Sequence, residues 1–567
     1  MFIHLERVID PTMQLSQLIK RMKDIEEEAS GLLIRELLIE IFLESEEDLS
    51  IIVKFLLGRV FPAWDNRKLD IGPSLCYSAI ALAAESDVTS MDIENEVAKI
   101  GEIGTVAQKY SYEGQRGLFS FTEEGAEDIS IAELYRDLKN ISETKGKGSV
   151  GRKRKILSNL FGRCGPLESR YLARLVLSEM RIGVGEGAVR DGISGAFNIP
   201  VRDVERALQV SNDFGYVAEI SRKEGSLGLQ EIKLKIGRPI SSMLAQASTI
   251  EDALEVWEKI AVEPKYDGAR IQAHFDGDST HIFSRNMEDV TDALPEVVEF
   301  IEECLSVPAI LDGEVVAIDT DGKSLPFQEV LRRFRRKHDI EKARNEIEIT
   351  PYFFDCMHYN GEDLLESPLT SRRSYLETAL SKGISSFWLV DEVSEIKRID
   401  KMSLEKGFEG IMLKNPGSLY SPGKRGKNWL KCKPGVSTLD CIITGAEWGE
   451  GRRAKFLGTF EMSVICPNAD SEIEYKKIGR VGTGLTDLQL QELTEMLSPS
   501  IETQIGKYVV LAPTTILEVG YEEIQRSQNY SSGYALRFPR VVAIRKDKEL
   551  KQADTFETIE KIFNETR

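Results

Sequence analysis

Hydrophobic positions along the chain change their period near residue 237. Before it, apolar residues recur three and four apart, as in Leu33–Phe42 and Tyr171–Leu177, which predicts amphipathic helices and an all-α region over residues 1–236. From about Gly237 the pattern shifts to alternation, first clearly in Ala269–Phe275, which predicts strands with one buried face. After Pro434 short strand-like runs follow one another, among them Cys441–Ile443, Glu461–Ile465 and Ile516–Val519, with one helical stretch at Asp487–Leu497. Several short strands with one interposed helix in this length predict a small closed barrel. The expected domains are therefore residues 1–236, 237–433 and 434–567.

The length agrees, since 567 residues exceed one hydrophobic core several-fold. No apolar run approaches the roughly 18 residues of a membrane span, and the start, Met1–Arg7, lacks a basic patch followed by an apolar stretch. The reading is of a protein that stays inside the cell, away from membranes. Seven cysteines, Cys76, Cys164, Cys304, Cys356, Cys432, Cys441 and Cys466, form no C-x-x-C pair, so neither a zinc site nor a disulfide framework is expected. The net charge of −20 discourages nucleic-acid binding taken alone. Clustering reverses that inference: Lys145, Lys147 and Arg152–Lys155 form one basic run, and Arg332, Arg333 and Arg335–Lys337 another. The alternative for each run is a solvated charged face.

Most phosphate-binding and acid–base signatures are missing. Gly322-Lys323-Ser324 has Ala317 where a P-loop needs its first glycine, and Gly146–Gly151 fits G-x-G-x-x-G without a preceding strand. The five histidines offer no H-x-x-x-H pair; His274 and His281 are read as structural residues of neighbouring strands. The segment Glu263–Arg270 differs, placing Lys265 at a strand-to-turn position with Asp267, Gly268 and Arg270 close behind. Alone it is a surface turn. Five further clusters then follow in order: Ser284-Arg285-Asn286, Leu311–Val316 with Asp312-Gly313-Glu314, Tyr352–Asp355, Glu409–Lys414 and Trp429–Lys433.

In that order the six clusters resemble the nucleotidyltransferase motifs of ATP-dependent polynucleotide ligases, and the whole layout resembles a DNA ligase of archaeal type. The resemblance extends to Gly237–Ala245 at the start of the catalytic domain, to Arg170–Leu175 and Arg181–Gly185 in the helical domain, and to Arg537–Arg540 and Arg545–Lys548 near the end. It implies an all-α N-terminal DNA-binding domain, an α+β nucleotidyltransferase domain and a C-terminal β-barrel OB-fold domain. It implies an enzyme that seals nicks in duplex DNA, in replication, repair and recombination, in three steps. Lys265 attacks ATP and forms lysyl-AMP with release of pyrophosphate; AMP passes to the 5′-phosphate of the nick; the 3′-hydroxyl then expels AMP.

The site residues follow from the same likeness. A lysine amine attacks phosphorus only when neutral, which neighbouring cations or burial promote, and Arg270, Arg285, Lys431 and Lys433 with Mg²⁺ would supply the positive field. Glu314 is implied near ribose and metal, Glu409 near metal, Phe354 against adenine, Glu263 at the adenine edge and Arg425 at the nucleotide. Asp267 is expected to shape the lysine turn, and Arg545 and Lys548 to act on the pyrophosphate in step one. Mn²⁺ is an expected substitute for Mg²⁺. A monomer is the default, and Gln115–Phe121 resembles a sliding-clamp-binding peptide, with an ordinary loop anchored by Phe119 and Phe121 as its alternative. The competing functions are an RNA ligase or GTP-using capping enzyme and a nucleic-acid-binding scaffold with a dead core. An NAD⁺ donor is disfavoured, because NAD⁺ ligases carry a cysteine zinc module.

Overall fold

A computed structural model describes residues 13–84, 87–111, 129–319, 323–325, 327–334, 344, 347–432, 437–449, 453–467 and 473–565. Gln115–Phe121, Arg335–Lys337 and Lys433, named above, lie outside the described residues. The chain divides into two compact units, Met1–Cys432 and Lys433–Arg567.

The first unit opens with helices from Leu15–Glu27 to Phe214–Gln230, and no strand is formed among the described residues before Leu244. Ile131–Glu143 shows why the sequence folds so: Ile131, Leu134, Leu138 and Ile141 are buried at three-and-four spacing. Ser130 Oγ accepts from the Glu133 N–H (3.2 Å) while Glu133 accepts from the Ser130 N–H (3.3 Å), which fixes the start of the helix. The Arg170–Leu175 run is a structural pillar. Arg174, with 5% of its side chain exposed, donates to Glu26 (2.9 Å) and Glu102 (3.1 Å), and the Tyr171 hydroxyl donates to Glu26 (2.6 Å). Of the first basic run, Lys153 is buried on the Leu69 carbonyl (2.7 Å) and the other five side chains are exposed. In the second run Arg333 is no solvated cation: it is buried, paired with Glu296 at 2.8 Å.

Two five-stranded sheets follow. Their strands are β1 (Leu244–Ala247), β2 (Ile260–Lys265), β3 (Ala269–Phe275), β4 (Thr280–Ser284), β5 (Ala309–Ile318), β6 (Glu348–Tyr359), β7 (Glu362–Asp363), β8 (Trp388–Val390), β9 (Gly410–Lys414) and β10 (Arg425–Cys432). One sheet runs β1-β10-β9-β2-β8 and the other β4-β3-β5-β6-β7. Period-two alternation assigns their faces. Ala269, Ile271, Ala273 and Phe275 of β3, with Leu311, Val315 and Ala317 of β5, enter an apolar core shared with Val297, Ile301 and Leu376. Ile260 and Val262 of β2, Ile411 and Leu413 of β9, and Leu430 and Cys432 of β10 enter a second core with Ile396 and Ile399. The opposite faces carry the polar residues.

In the second unit β11 (Ser437–Trp448) pairs with β12 (Leu457–Pro467), β15 (Tyr508–Leu511) and β16 (Ile516–Tyr521). β13 (Ile473–Val481), β14 (Ile501–Ile505) and β19 (Arg540–Ile544) complete a seven-stranded sheet; β17 (Glu523–Arg526) and β18 (Tyr534–Arg537) form a separate pair. The Asp487–Leu497 helix, at the expected position, buries Leu490, Leu493 and Leu497 in this unit's core. All seven cysteines are unpaired and five are buried, with burial pushing the Cys76 thiol up to about 12.

Candidate active site

The polar faces of the two sheets of the first unit meet. From β3 and β5 come Arg270, Gln272, His274, Asp312 and Glu314; from β2, β9 and β10 come Glu263, Lys265, Lys414, Trp429 and Lys431. The two faces touch where Lys414 Nζ stands over the rings of Phe354 (4.6 Å) and Trp429 (4.2 Å), and where Phe354 meets Trp429 edge-on at 6.1 Å.

Lys265 is the last residue of β2. Antiparallel pairing sets it opposite Gly410, so Glu409 falls just before β9, and its N–H donates to the Lys265 carbonyl (2.8 Å). The Lys265 ammonium in turn donates to the Glu409 carboxylate, with 20% and 16% of the two side chains exposed. Two glycines make the approach of β3, β5 and β6 possible. A Cβ on Gly268 would lie 2.3 Å from the Val315 carbonyl oxygen and 2.9 Å from Glu314 Cγ, and one on Gly313 would lie 2.7 Å from the Phe353 ring. Asp267 accepts from the Phe327 N–H (3.2 Å) and so ties the lysine turn to the helix that begins there.

Glu314 sits opposite Arg270 on β3 and Tyr352 on β6. Burial pushes its carboxyl up to about 8; Glu409 and Asp312 add to this, and Lys265 and Arg270 oppose it. Arg270 is held through all three of its nitrogens. Its Nε and Nη2 grip Asp312 at 3.0 and 2.6 Å, and its Nη1 donates to the Met243 carbonyl at 2.6 Å. Burial works against the guanidinium charge, but Asp312 outweighs it and holds the pKa above the usual arginine range. Phe354 is buried with the Arg270 guanidinium 5.4 Å from its ring centre. Glu263 is buried with Lys414 (2.7 Å); its Oε2 takes the ammonium and its Oε1 has no hydrogen-bond partner.

The cleft thus gathers Glu263, Lys265, Arg270, Glu314, Phe354, Glu409 and Lys431. Arg285 lies in the exposed turn after β4, and Arg425 is exposed at the start of β10. Arg545 and Lys548 belong to the second unit, where Arg545 meets Asp547 (2.7 Å), Asp440 (3.4 Å) and Glu518 (3.5 Å), and Lys548 meets Asp440. Sequence reading gave no role to Asp312 or Lys414, though both lie in the clusters named above, and missed Tyr420. The first two carried a signal, since each shares a strand face with a neighbouring acid or cation two residues away or across the ladder. Tyr420 lies between β9 and β10 and carried none.

Neither Glu314 nor Glu409 belongs to a group of three or more metal-ligating side chains among the described residues. Two carboxylates suit a Mg²⁺ ion that takes its remaining oxygens from phosphates and water.

Comparison with known proteins accords with this geometry. Residues 14–194 match the family model described as DNA ligase N terminus, 242–433 the ATP dependent DNA ligase domain, and 453–548 the ATP dependent DNA ligase C terminal region. The chain is 53% identical to a DNA ligase of Haloarcula marismortui over 555 residues, covering 97% of this chain and 99% of that one. It is 43% identical to a DNA ligase of Archaeoglobus fulgidus over 526 residues, covering 92% and 93%. The solved structure Pmar-Lig_PreS3 shares the fold, with a TM-score of 0.53 at 16% identity over 93% of this chain and 99% of its own. A nucleotidyltransferase-type cleft, all three matched regions in order and near full-length relatives agree: the chain belongs to the ATP-dependent DNA ligases.

Proposed function

We propose that Lys265 is the nucleophile of this ATP-dependent DNA ligase, attacking the α-phosphate of ATP to form lysyl-AMP. The observation that carries this is the Lys265 ammonium held by Glu409, beside Glu314, in a cleft between two polar sheet faces. The amine nitrogen forms a bond to phosphorus as the bond to pyrophosphate breaks, and its protons leave as the phosphoramidate forms. Glu409 would hold the ammonium before attack and receive a proton, a reading supported by its contact with Lys265. Glu314 and Glu409 would hold Mg²⁺ together with the phosphates, and the ion would polarise the phosphoryl oxygens and offset the carboxylates' charge.

Glu263 would accept from the adenine edge through its unpartnered Oε1, and Phe354 would face the base. Arg270, Arg285, Arg425, Lys431 and Lys433 would bind the ribose and phosphates, and Arg545 and Lys548 the departing pyrophosphate. Residues 1–236 would form the DNA-binding domain, 237–433 the adenylation domain and 434–567 an OB-fold barrel. Support comes from the change of element type before Leu244, the compact unit starting at Lys433 and the helix packed against its seven-stranded sheet. The substrate would be nicked duplex DNA, grasped through its phosphates by a monomer inside the cell during replication, repair and recombination. No helix among the described residues is long and apolar enough to cross a membrane. Gln115–Phe121 would dock a sliding clamp, a reading ended by undiminished clamp pull-down after Phe119→Ala and Phe121→Ala.

The test is incubation with Mg²⁺ or Mn²⁺ and α-labelled ATP, GTP or NAD⁺, followed by a chase with nicked duplex. Label from ATP that resists denaturation, is absent in Lys265→Ala and is discharged on sealing is the expected result. Label from GTP alone would reassign the donor.

A further inference from the structure

Arg270 is the first of three residues of β3 whose side chains all bind one stretch of backbone. The segment from Gly237 to Met243 crosses the polar face of β3 on its way from the helix Phe214–Gln230 to β1. The Gly237 N–H donates to His274 Nδ1 (3.1 Å), and burial holds that imidazole neutral, with its pKa near 3. The Ile240 N–H donates to Gln272 Oε1 (3.2 Å) while Gln272 Nε2 donates back to the Ile240 carbonyl (2.5 Å). Arg270 Nη1 donates to the Met243 carbonyl (2.6 Å). Side chains two residues apart on a strand advance by nearly 7 Å, so Arg270, Gln272 and His274 grip the segment at every third residue.

The last grip is closed by Tyr420. Its hydroxyl accepts from the Met243 N–H (3.1 Å) and donates to Asp312 Oδ2 (2.6 Å), the oxygen that also takes Arg270 Nη2 (2.6 Å). Met243, Arg270, Asp312 and Tyr420 therefore form one ring of hydrogen bonds drawn from two strands of one sheet, the connecting segment and the loop between β9 and β10. Tyr420 is buried, packed edge-on against Trp429 at 5.8 Å, and Arg270 Nη2 also lies 3.4 Å from its hydroxyl.

We propose that Tyr420 is a positioning residue for adenylation: through Asp312 and the Met243 peptide it fixes the direction of the Arg270 guanidinium at the nucleotide. This rests on the reading that Arg270 acts on the bound nucleotide. Losing the hydroxyl removes a partner from Asp312, from the Met243 N–H and from Arg270 Nη2 (3.4 Å) and so loosens the anchors that aim the guanidinium, and a hydrogen bond to a charged group is worth about ten-fold or more in rate where it is felt in the transition state.

The experiment measures single-turnover self-adenylation of the full chain with labelled ATP and Mg²⁺ for wild type, Tyr420→Phe, Arg270→Lys and the double variant. The expected result is an about ten-fold fall in maximal rate for Tyr420→Phe, with the half-saturating ATP concentration shifted less than about three-fold, and no further loss when it is added to Arg270→Lys. Asp312→Asn, which keeps the shape of the ring but not its charge, is expected to reproduce the loss and serves if Tyr420→Phe does not fold. Equal losses from Tyr420→Phe with and without Arg270→Lys, or an unchanged rate in Tyr420→Phe, would overturn the proposal. A wild-type rate in Arg270→Lys would instead overturn the reading of Arg270 on which it rests.

Discussion

Replacing Glu314 with Gln separates the cost of its charge from the value of its shape. The carboxyl's pKa is raised from 4.5 to about 8, chiefly by burial, with Glu409 and Asp312 adding and Lys265 and Arg270 opposing. Between those two values the folded protein keeps a proton that the unfolded chain has released. The native state therefore binds more protons there, and stability falls as pH rises through that window. At about 1.4 kcal/mol per unit the full displacement is worth up to about 5 kcal/mol above pH 8 and about 3 kcal/mol at pH 7. Gln keeps the shape and has no proton to lose. Unfolding of metal-free wild type and Glu314→Gln in chelator should give nearly equal midpoints at pH 4.5 and a variant advantage of a few kcal/mol at pH 8.5. Adding Mg²⁺ at pH 8.5 should narrow the gap by stabilising the wild type alone. Parallel pH profiles for the two proteins would refute the reasoning, because Glu314 would then pay no penalty for its charge.

Four other expectations follow from the geometry. Asp355→Ala strands the fully buried Arg372, which grips Asp355 at 2.7 and 2.9 Å, and should cost about 3–5 kcal/mol in urea unfolding. Gly268→Ala forces a Cβ to within 2.3 Å of the Val315 carbonyl and should slow self-adenylation at least about ten-fold by pushing β3 off β5, read with labelled ATP. Lys414→Met leaves Glu263 buried without its cation; its melting temperature should fall and its half-saturating ATP concentration rise about ten-fold. Arg545→Ala should slow self-adenylation while leaving sealing of a nick already carrying AMP near the wild-type rate, and equal losses in both assays would contradict a step-one role.

Much of the fold was legible because period and position agree. The switch from helical spacing to alternation near Gly237 lies between the helix ending at Gln230 and the first strand at Leu244. The Asp487–Leu497 helix was legible because Leu490, Leu493 and Leu497 keep helical spacing among strands. Alternation in β3 was equally plain, but the pattern does not say what covers the polar side. That cover is the chain's own backbone from Gly237 to Met243, and the pairing is between residues about 30 apart. Glu409 reads as part of an apolar strand, yet it precedes β9, since the register pairs Lys265 with Gly410. The Arg332–Lys337 run reads as one basic surface, but helical geometry turns Arg333 inward onto Glu296 while Arg332 pairs with Glu329 on the outside.

The same physics explains why the site was more legible than its supports. A cleft between two sheets needs polar residues on the facing sides, so each sheet must bury its other face, and strict alternation records this as Ala269, Ile271 and Ala273 against Arg270, with Gln272 and His274 on the same side taken up by the backbone of Gly237–Met243. Supports obey no such period. Asp312 is visible two residues before Glu314, but Tyr420 reaches it from a loop 108 positions later, and Arg372 reaches Asp355 from the helix Leu369–Ala379. Such residues are chosen by where the chain returns in space, and a long-range hydrogen bond leaves no local trace. Their effect on chemistry is nonetheless direct, because a guanidinium held on three sides has one orientation to offer a phosphate or ribose, and one held on two has several.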